Sequence, residues 1–413
     1  MTETEAVSFQ PNAIFSGDCK DVLHHFPEAS VDLIYLDPPF FSNKHYEVIW
    51  DDDYEIRAFE DRWKGGIENY TAWMMERLTE CYRVLKETGT MFVHCDYRAN
   101  SYLRVELDKL FGKNNYRGEI IWNYGHLATL SGKDFPKKHD TILLYSKSPK
   151  FTYHPHIIAS KKDITKNYPL IDEQGRNYRW VTLKDKDGKK YKKKRIASRI
   201  NAGGVPISDV WDIPVINPMA NERLGYPTQK PEKLLELVIE TSSNPTDLVL
   251  DPFCGCGTAV VVAQKMGRRW IGVDVSPTAC KLIGKRMRAI TRHEVNLVGL
   301  PRTVEQLKVL QPFEFQNWVN EKLYARPSPR KSGDMGIDGF YLDGTPIQVK
   351  QQDDVGRNVI DNFETAIKRD GKTKGVIVAF SFGKGAYEEV ARVKNEEGVE
   401  ILLKTVDDIL NET

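Results

Sequence analysis

The strongest constraint on the fold is the stretch VDLIYLDPPF at residues 31–40. Its first six residues are mostly apolar and predict a buried β-strand, and two consecutive prolines end that strand because proline lacks an N–H and has a fixed φ. Asp37 therefore lies at the carboxyl end of a strand, the edge where open α/β sheets bind ligands. Asp37, the carbonyl of Pro38 and the ring of Phe40 could together hold a planar group with an exocyclic amine. A strand followed by an ordinary tight turn is the alternative.

Strands and helices alternate along most of the chain, which favours a parallel or mostly parallel sheet covered on both faces. Apolar periodicity predicts helices over 69–86, 101–111, 231–242 and 277–290 and strands over 90–95, 119–123, 141–146 and 248–250. A third unit over 313–413 repeats the alternation. Residues 41–66 lack periodicity and predict a long loop, and residues 291–312 predict a linker.

A second strand end carries a glycine-rich turn, in the stretch LVLDPFCGCGT that ends at Thr258. Gly255 and Gly257 would let a ligand approach the backbone closely. Asp274 ends the next strand, where a carboxylate can accept two ribose hydroxyls. Because the turn is not GxGxxG, it leaves less room for a pyrophosphate. Together with Asp251, it better suits an adenosine ligand that carries an amino acid.

Charge is distributed unevenly, although the whole chain has a net charge of only +1. Residues 151–200 contain fourteen Lys or Arg against five Asp or Glu, with Tyr178, Trp180 and Tyr191 among them. Basic residues mixed with aromatics favour a nucleic-acid surface, and a merely solvated face is the alternative. The candidate DNA-binding residues are Lys189, Lys190, Lys192, Lys193, Lys194 and Arg195.

Other classes of protein are disfavoured. The six cysteines form no CxxC pair, so a zinc or disulfide framework is not expected. The apolar runs are too short for a membrane span. The first ten residues are polar and acidic, unlike a signal peptide. We therefore expect a cytoplasmic protein without a membrane partner.

Residues 12–290 resemble the amino-group DNA methyltransferases that use S-adenosylmethionine. The resemblance depends on LDPPF at 36–40 and LDPFCGCGT at 250–258, with support from FSGD at 15–18, PTQKP at 227–231, IGVDVS at 271–276 and HDTILLYSKS at 139–148. The catalytic motif precedes the cofactor motif and a recognition segment separates them, which is similar to the β group. The resemblance implies a Rossmann-like sheet with a circularly permuted order of motifs.

The resemblance also implies roles for particular residues. Asp37 and the Pro38 carbonyl would accept the two amine hydrogens of a flipped-out base, and Phe40 would stack on its ring. The catalytic motif is Asp37, Pro38, Pro39 and Phe40. The cofactor residues would be Asp18 at the adenine edge, Thr228 and Lys230 near the carboxylate, Asp274 at the ribose, and Asp37, Asp251, Phe253, Gly255, Gly257 and Thr258. For Asp18 and Lys230, a turn and a helix cap are the alternatives.

Residues 313–410 resemble the Mrr-type branch of the PD-(D/E)xK nucleases, on GDMGIDG at 333–339 and PIQVKQ at 346–351. Gln348 and Lys350 share one face of a strand because side chains alternate with period two, and Asp338 ends the partner strand. These three residues could hold Mg²⁺ and activate water beside a phosphate. In this branch Gln replaces the usual Glu, and Glu314 resembles an acidic residue on the preceding helix. The alternative is an inert DNA-binding module.

Two domains are therefore expected: a methyltransferase domain at 1–300, with a target-recognition insert at 147–225, and an endonuclease-like domain at 301–413. The leading hypothesis is a restriction–modification protein that methylates adenine N6 in double-stranded DNA, because Asp at the first motif position is commoner with adenine. Alternatives are cytosine-N4 methylation, a non-catalytic C-terminal module, a non-catalytic DNA-binding protein, and an RNA or small-molecule methyltransferase. The oligomeric state stays open, with a homodimer as one alternative.

Overall fold

The architecture is that of a computed structural model of the chain. The structure describes residues 8–40, 44–50, 54–61, 66–125, 135–159, 168–196, 204–217, 219–220, 222–224, 226, 229–328 and 336–412. Among these residues, no helix is both long and apolar enough to cross a membrane.

The described part of the chain contains the following strands and helices. The strands are β1 Ala13–Ser16, β2 Val31–Leu36, β3 Lys44–Trp50, β4 Tyr54–Asp61, β5 Leu85–Cys95, β6 Tyr116–Asn123, β7 His139–Ser146, β8 Ile157–Ala159, β9 Leu170–Ile171, β10 Asn177–Lys184, β11 Lys190–Ile196, β12 Gly204–Pro206, β13 Val210–Asp212, β14 Leu248–Asp251, β15 Arg269–Asp274, β16 Asn296–Val298, β17 Arg326–Pro327, β18 Gly339–Phe340, β19 Pro346–Val349, β20 Lys374–Ala379 and β21 Glu400–Thr405. The helices are α1 Cys19–His24, α2 Gly66–Val84, α3 Asn100–Phe111, α4 Glu232–Ser242, α5 Thr258–Lys265, α6 Pro277–Thr291, α7 Val304–Lys308, α8 Pro312–Lys322, α9 Arg357–Arg369, α10 Lys384–Arg392 and α11 Val406–Asn411.

Nine strands form one sheet in the order β13-β6-β7-β5-β2-β14-β15-β1-β16. Every neighbouring pair in it is parallel except the two that involve β7. The predicted mostly parallel α/β sheet is therefore confirmed. Alternate residues of β2 enter two separate cores, since Ile34 and Leu36 pack with α1–α3 while Leu33 and Tyr35 pack with α4–α6. Helices thus cover both faces, and the loops at the carboxyl ends of the strands are left to build a site.

Some elements differ from the sequence-based expectation. The segment predicted as a long loop contains the antiparallel pair β3–β4. The predicted linker contains β16, an edge strand of the central sheet, and α7. Strand β13 falls inside the segment assigned to the recognition insert, yet it pairs with β6 of the central sheet. Strands β13 and β16 are three residues long and helix α7 is five residues long, so they lack the long apolar periodicity that reveals an element in sequence.

The basic segment forms a separate three-stranded antiparallel sheet, β11-β10-β9. Its two long strands are joined by a tight turn at 185–189 that the side chain of Asp185 closes, accepting from the backbone N–H of Lys189 at 2.8 Å. Residues 182–195 are all exposed. This sheet therefore contributes nothing to either core and presents a basic ribbon to solvent.

The C-terminal unit has its own five-stranded sheet, β17-β18-β19-β20-β21, and its own two cores. Helices α7, α8 and α11 pack on one face, and α9 and α10 pack on the other. Phe363 of α9 is completely buried in the second core. A unit with its own hydrophobic core can bury its apolar side chains without the rest of the chain, which is typical of a domain.

Replacing Phe363 with Ala should lower the free energy of unfolding of the C-terminal unit by about 3–5 kcal/mol, because the vacated core cannot collapse fully. Urea unfolding followed by hydrogen exchange of the β20 amides measures the change. Leu342, which is 75% exposed, is the matched control, and Leu342→Ala should shift the free energy by less than about 0.5 kcal/mol. Equal effects of the two substitutions would contradict the assigned core.

Candidate active sites

The chain leaves two adjacent parallel strands of the central sheet in opposite directions. From β2 it passes through α2 to β5 on one side, and from β14 it passes through α5 to β15 on the other side. A crevice opens between the two divergent connections, at the carboxyl ends of β2 and β14. Asp37 follows β2 and Asp251 ends β14, so the two sequence motifs meet at this crevice.

Asp37 uses its two carboxylate oxygens differently. Oδ2 accepts a short hydrogen bond from the Nζ of Lys230, whose side chain is only 7% exposed. Oδ1 is buried and has no hydrogen-bond partner among the described residues. A buried acceptor without a partner is costly in free energy, so it is a natural place for a ligand to donate a hydrogen bond.

The rest of the acidic motif is held rigidly. The hydroxyl of Tyr70, on α2, donates to the carbonyl of Pro39 at 2.8 Å. The Phe40 ring lies 5.5 Å from the ring of His94, tilted by 30°, and its centroid is 5.1 Å from the Nζ of Lys230. The motif therefore presents a carboxylate and a half-buried aromatic ring in a fixed orientation.

Behind Asp37 lies a buried hydrogen-bond chain that sequence reasoning missed. The Tyr35 hydroxyl and the Nδ1 of His94 are 2.8 Å apart, and His94 Nδ1 is 3.9 Å from Asp37 Oδ1. His94 Nε2 lies 3.3 Å from Asp140, which also accepts from Tyr124 at 3.2 Å. Burial raises the pKa of Asp140, but its interactions with His94, Lys230 and Tyr124 together leave that pKa below its usual value. The signal available in sequence was a histidine within the apolar strand TMFVHC.

The glycine-rich turn adopts a conformation that requires glycine. Gly255 and Gly257 have φ of +50° and +80°, and a Cβ on Gly257 would lie 2.8 Å from Ile283. The backbone N–H groups of Gly255 and Ser276 donate to opposite oxygens of Asp274 at 2.8 and 2.9 Å. Asp274 thus joins the turn after β14 to the end of β15.

Asp251 is buried and Asp274 is half-buried, and both line this crevice. Burial raises the pKa of Asp251 well above its usual value, although the backbone N–H of Phe253 donates to it at 3.1 Å. Burial also raises the pKa of Asp274 to about 6, against the lowering effect of its two backbone donors. Perturbed carboxylates in a cleft are typical of functional sites.

The crevice encloses a cavity of about 480 Å³, within the range of small-molecule sites. The predicted cofactor residues on its wall are Asp18, Asp37, Lys230, Asp251, Phe253, Gly255, Thr258 and Asp274. Gly257 lies behind the wall as the residue before α5. Thr228 lies outside the described residues. The structure therefore brings together eight of the ten residues singled out for the cofactor.

Asp18 also has structural tasks. Its Oδ1 accepts from the backbone N–H of Lys20 and caps helix α1, and its Oδ2 forms a short ion pair with Arg77. Asp18 therefore caps a helix, where a turn was the alternative to its cofactor role, and its side chain also faces the cavity. Lys230 is not a helix cap, because Pro231 holds that position before α4.

A second cavity of about 540 Å³ adjoins the first and shares Tyr226, Gln229 and Lys230 with it. Its wall combines aromatic rings, among them Phe40, Tyr97, Trp122 and Tyr124, with charged and polar side chains such as Asp140. Aromatic rings beside hydrogen-bonding groups suit a planar heterocycle. The Asp37 motif lies at the junction of the two cavities.

The C-terminal unit brings Asp338, Gln348 and Lys350 together. Asp338 Oδ2 accepts from the backbone N–H of Val349 at 2.7 Å, midway between the other two residues along the strand. Gln348 is 2% exposed, and its Oε1 has no hydrogen-bond partner among the described residues. Carboxylate and amide oxygens are ligands that Mg²⁺ accepts, so the residues present fit that ion.

Glu314 lies elsewhere. Its carboxylate accepts hydrogen bonds from Ser276 and, at 2.7 Å, from Thr278 of the first domain. On the same helix Gln316 donates to the Asp338 carbonyl at 2.8 Å. Two residues along a helix point to nearly opposite sides, so Glu314 faces away from Asp338. The expected metal role of Glu314 is therefore replaced by a role in the joint between the two domains.

The fold and the site together define a Rossmann-like methyltransferase of the type that uses S-adenosylmethionine. A DNA methylase family model matches residues 31–285, and a restriction endonuclease model matches residues 307–411. The chain belongs to the DNA methylase family and carries a C-terminal restriction endonuclease domain.

Related proteins are found in several bacteria. The DNA adenine methyltransferase YhdJ of Escherichia coli K12 is 30% identical over 285 residues, which cover 69% of this chain and 85% of that protein. The type II methyltransferase M.BamHI of Bacillus amyloliquefaciens is 29% identical over 276 residues, 67% of this chain and 56% of that protein. M.HinfI of Haemophilus influenzae is 30% identical over 297 residues, 70% of this chain and 72% of that protein.

Solved structures of other proteins align with about two thirds of this chain. The M1.HpyAVI–SAM complex has a TM-score of 0.40 at 19% identity, over 67% of this chain and 98% of that one. The cytosine-N4-specific PvuII DNA methyltransferase has a TM-score of 0.43 at 17% identity, over 70% of this chain and 96% of that one.

The pKa of Asp274 predicts how the binding of an adenosine ligand depends on pH. Hydroxyl donors favour the ionised carboxylate, so binding expels a proton below pH 6 and affinity should fall by up to about tenfold per pH unit as the pH drops below 6. Above pH 6 this dependence should disappear. Calorimetric titration with S-adenosylhomocysteine between pH 5 and 8 measures it. Asp274→Asn is the control, and the idea fails if that variant keeps the same slope.

Proposed function

We propose that the chain is a site-specific DNA methyltransferase that transfers a methyl group from S-adenosylmethionine to the N6 amino group of adenine, and that its C-terminal domain is a Mg²⁺-dependent endonuclease. The carrying observation is the buried, unpartnered Oδ1 of Asp37 at the junction of the two cavities. The division at residues 1–300 and 301–413 is part of the same proposal.

The cofactor cavity fits S-adenosylmethionine in size and in its donors and acceptors. When bound, that molecule supplies an activated methyl group on a sulfonium. Asp274 accepts the ribose hydroxyls, and Asp18 lies at the adenine edge. The turn from Asp251 to Thr258 holds the methionine end, because its glycines let the backbone come close and its carboxylate accepts from an ammonium.

Asp37 and its neighbours act on the base. The amine of adenine is a poor nucleophile because its lone pair is delocalised into the ring. Asp37 Oδ1 and the Pro38 carbonyl accept its two hydrogens, which draws the nitrogen towards tetrahedral geometry and directs its lone pair at the methyl carbon. Phe40 stacks on the ring. Asp37 would also accept the excess proton that the nitrogen loses once it carries the methyl group.

Lys230 gives the two oxygens of the Asp37 carboxylate different roles. It occupies Oδ2, so Oδ1 remains the acceptor for the amine. His94 supports the stack from behind Phe40.

Adenine is favoured over cytosine by the Asp at the first position of the motif and by the relative YhdJ, which is a DNA adenine methyltransferase. The matched family model covers both N6 and N4 methylases, so cytosine N4 is the second candidate. Mass spectrometry of nucleosides from DNA of an expressing host distinguishes the two products directly.

Double-stranded DNA is the proposed substrate, and the β9–β11 sheet is the proposed recognition surface. Strands β10 and β11 pair over seven residues and present Lys189, Lys190, Lys192, Lys193, Lys194 and Arg195 to solvent. Trp180 is 52% exposed and Tyr191 47% exposed on the same ribbon. A two-stranded ribbon of this kind fits the major groove of B-DNA, and its charges bind phosphates.

The nuclease proposal depends on the buried, unpartnered Oε1 of Gln348 beside Asp338. Asp338 and Gln348 would hold Mg²⁺, and Lys350 would stabilise charge on the phosphate. An inert DNA-binding domain is the alternative.

Replacing Asp37 with Ala should lower methylation at least about 100-fold, because the amine loses an acceptor that orients it. The yield of N6-methyladenine, measured by mass spectrometry, tests this. Asp21 is an exposed acid on α1, and Asp21→Ala should leave the yield unchanged. Equal yields from wild type and Asp37→Ala would refute the assigned chemistry.

Replacing Lys350 with Ala should abolish Mg²⁺-dependent cleavage of plasmid DNA. Lys374 on the neighbouring strand β20 is 70% exposed, and Lys374→Ala should cut like the wild type. Plasmids that carry and lack the chain's own methylation should both be assayed by gel. If wild type cuts neither plasmid with Mg²⁺ or Mn²⁺, the alternative of an inert DNA-binding domain is the correct one.

A further inference from the structure

The cofactor cavity is walled by both domains. Most of its lining comes from the methyltransferase domain, but the segment that precedes and opens helix α8 closes one side. Five residues of the C-terminal domain line the cavity: Val309, Leu310, Gln311, Phe313 and Glu314. All five lie within the restriction endonuclease match at 307–411.

Glu314 is the buried centre of the contact between the domains. It is 4% exposed, and it accepts from the hydroxyls of Ser276 and Thr278. Ser276 in turn donates its backbone N–H to Asp274 at 2.9 Å. Ser276 therefore links Asp274, the proposed ribose-binding acid, to Glu314 of the nuclease domain.

Further contacts hold helix α8 against helix α6. The amide of Asn317 lies 3.3 Å from the hydroxyl of Thr278, and the ion pair between Lys281 and Glu321 measures 2.5 Å. The contact thus extends over about two turns of α8. Several residues along both helices therefore hold the two domains together.

The cavity lining around Asp274 includes exposed apolar groups. Val275 is 66% exposed, Val309 is 82% exposed and Phe313 is half-buried, yet all three line the cavity. Covering apolar side chains at a cavity wall with a flat ring lowers the free energy, because apolar surface leaves water. A purine attached to a ribose on Asp274 would reach Val275, its neighbour in the chain.

Building on the proposed function, we propose that the nuclease domain completes the methyl-donor site. Val309 and Phe313 cover the adenine ring of S-adenosylmethionine, and Glu314 is a positioning residue that holds the Asp274–Ser276 turn at the ribose. The cofactor is therefore bound by two domains at once.

The opposite side of helix α8 supports the nuclease site. Gln316 and Asn320 donate side-chain N–H groups to the carbonyl of Asp338 at 2.8 and 3.2 Å. A ligand that fixes the start of α8 should consequently also steady the backbone at Asp338, because a helix transmits a displacement along its length as a rigid element. Cofactor binding and nuclease geometry are then linked.

Calorimetry on the full chain with S-adenosylhomocysteine tests the shared site. Val309→Asp, Phe313→Ala and Glu314→Ala should each weaken binding about fivefold or more, equivalent to about 1 kcal/mol of lost contact. Glu314→Gln should restore most of the loss at that position, since an amide can still pair with both hydroxyls. Leu342→Asp is the matched control on an exposed apolar residue of the same domain, and it should bind like the wild type.

Hydrogen exchange gives a second measurement, which a purely structural role of Glu314 would leave unchanged. Saturating S-adenosylhomocysteine should slow exchange in peptides from 312–322 and 336–340 of the wild type. In Glu314→Ala the slowing should be confined to the methyltransferase domain. Unchanged affinity in all three cavity variants, or no slowing in 312–322 of the wild type, would overturn the shared site while leaving the proposed function intact. Failure of the wild type to bind would instead contradict the proposed function.

Discussion

The structure depends on the direction in which the chain leaves two neighbouring strands. Strands β2 and β14 are parallel neighbours, but their connections run to opposite sides of the sheet. That divergence opens the crevice, and the crevice brings together two motifs that are far apart in sequence. Were β2 and β14 to lie at different places in the sheet, Asp37 and Asp251 could not share one cavity.

The crevice concentrates negative charge that the fold has to compensate. Asp37, Asp251 and Asp274 all line the same cavity, and burial raises the pKa of the latter two. Lys230, two residues before helix α4, supplies the opposing charge at Asp37. One lysine does not balance three carboxylates. A ligand with an ammonium, a sulfonium and ribose hydroxyls would add positive charge and hydrogen-bond donors to the site.

Sequence patterns anticipated the sheet, its helices and the two strand ends at the crevice, because each of these has strong apolar periodicity or a special turn. They did not anticipate the pairing of Asp37 with Lys230 or the His94 chain, since contacts between residues far apart in sequence leave no local signal. The short edge strands β13 and β16 were missed for the same reason. Glu314 was assigned by family resemblance to the nuclease site, whereas the packing of α8 turns it towards Ser276.

The proposed chemistry requires one cavity between the ends of β2 and β14 to hold the methyl donor with its reactive carbon facing Asp37. A crystal structure of the chain with S-adenosylhomocysteine would show where the donor binds. We expect ribose hydroxyls on Asp274, the amino-acid end along the turn from Asp251 to Thr258, and the sulfur facing the second cavity beside Asp37. A ligand bound elsewhere, or one bound here with its sulfur turned away from Asp37, would contradict it.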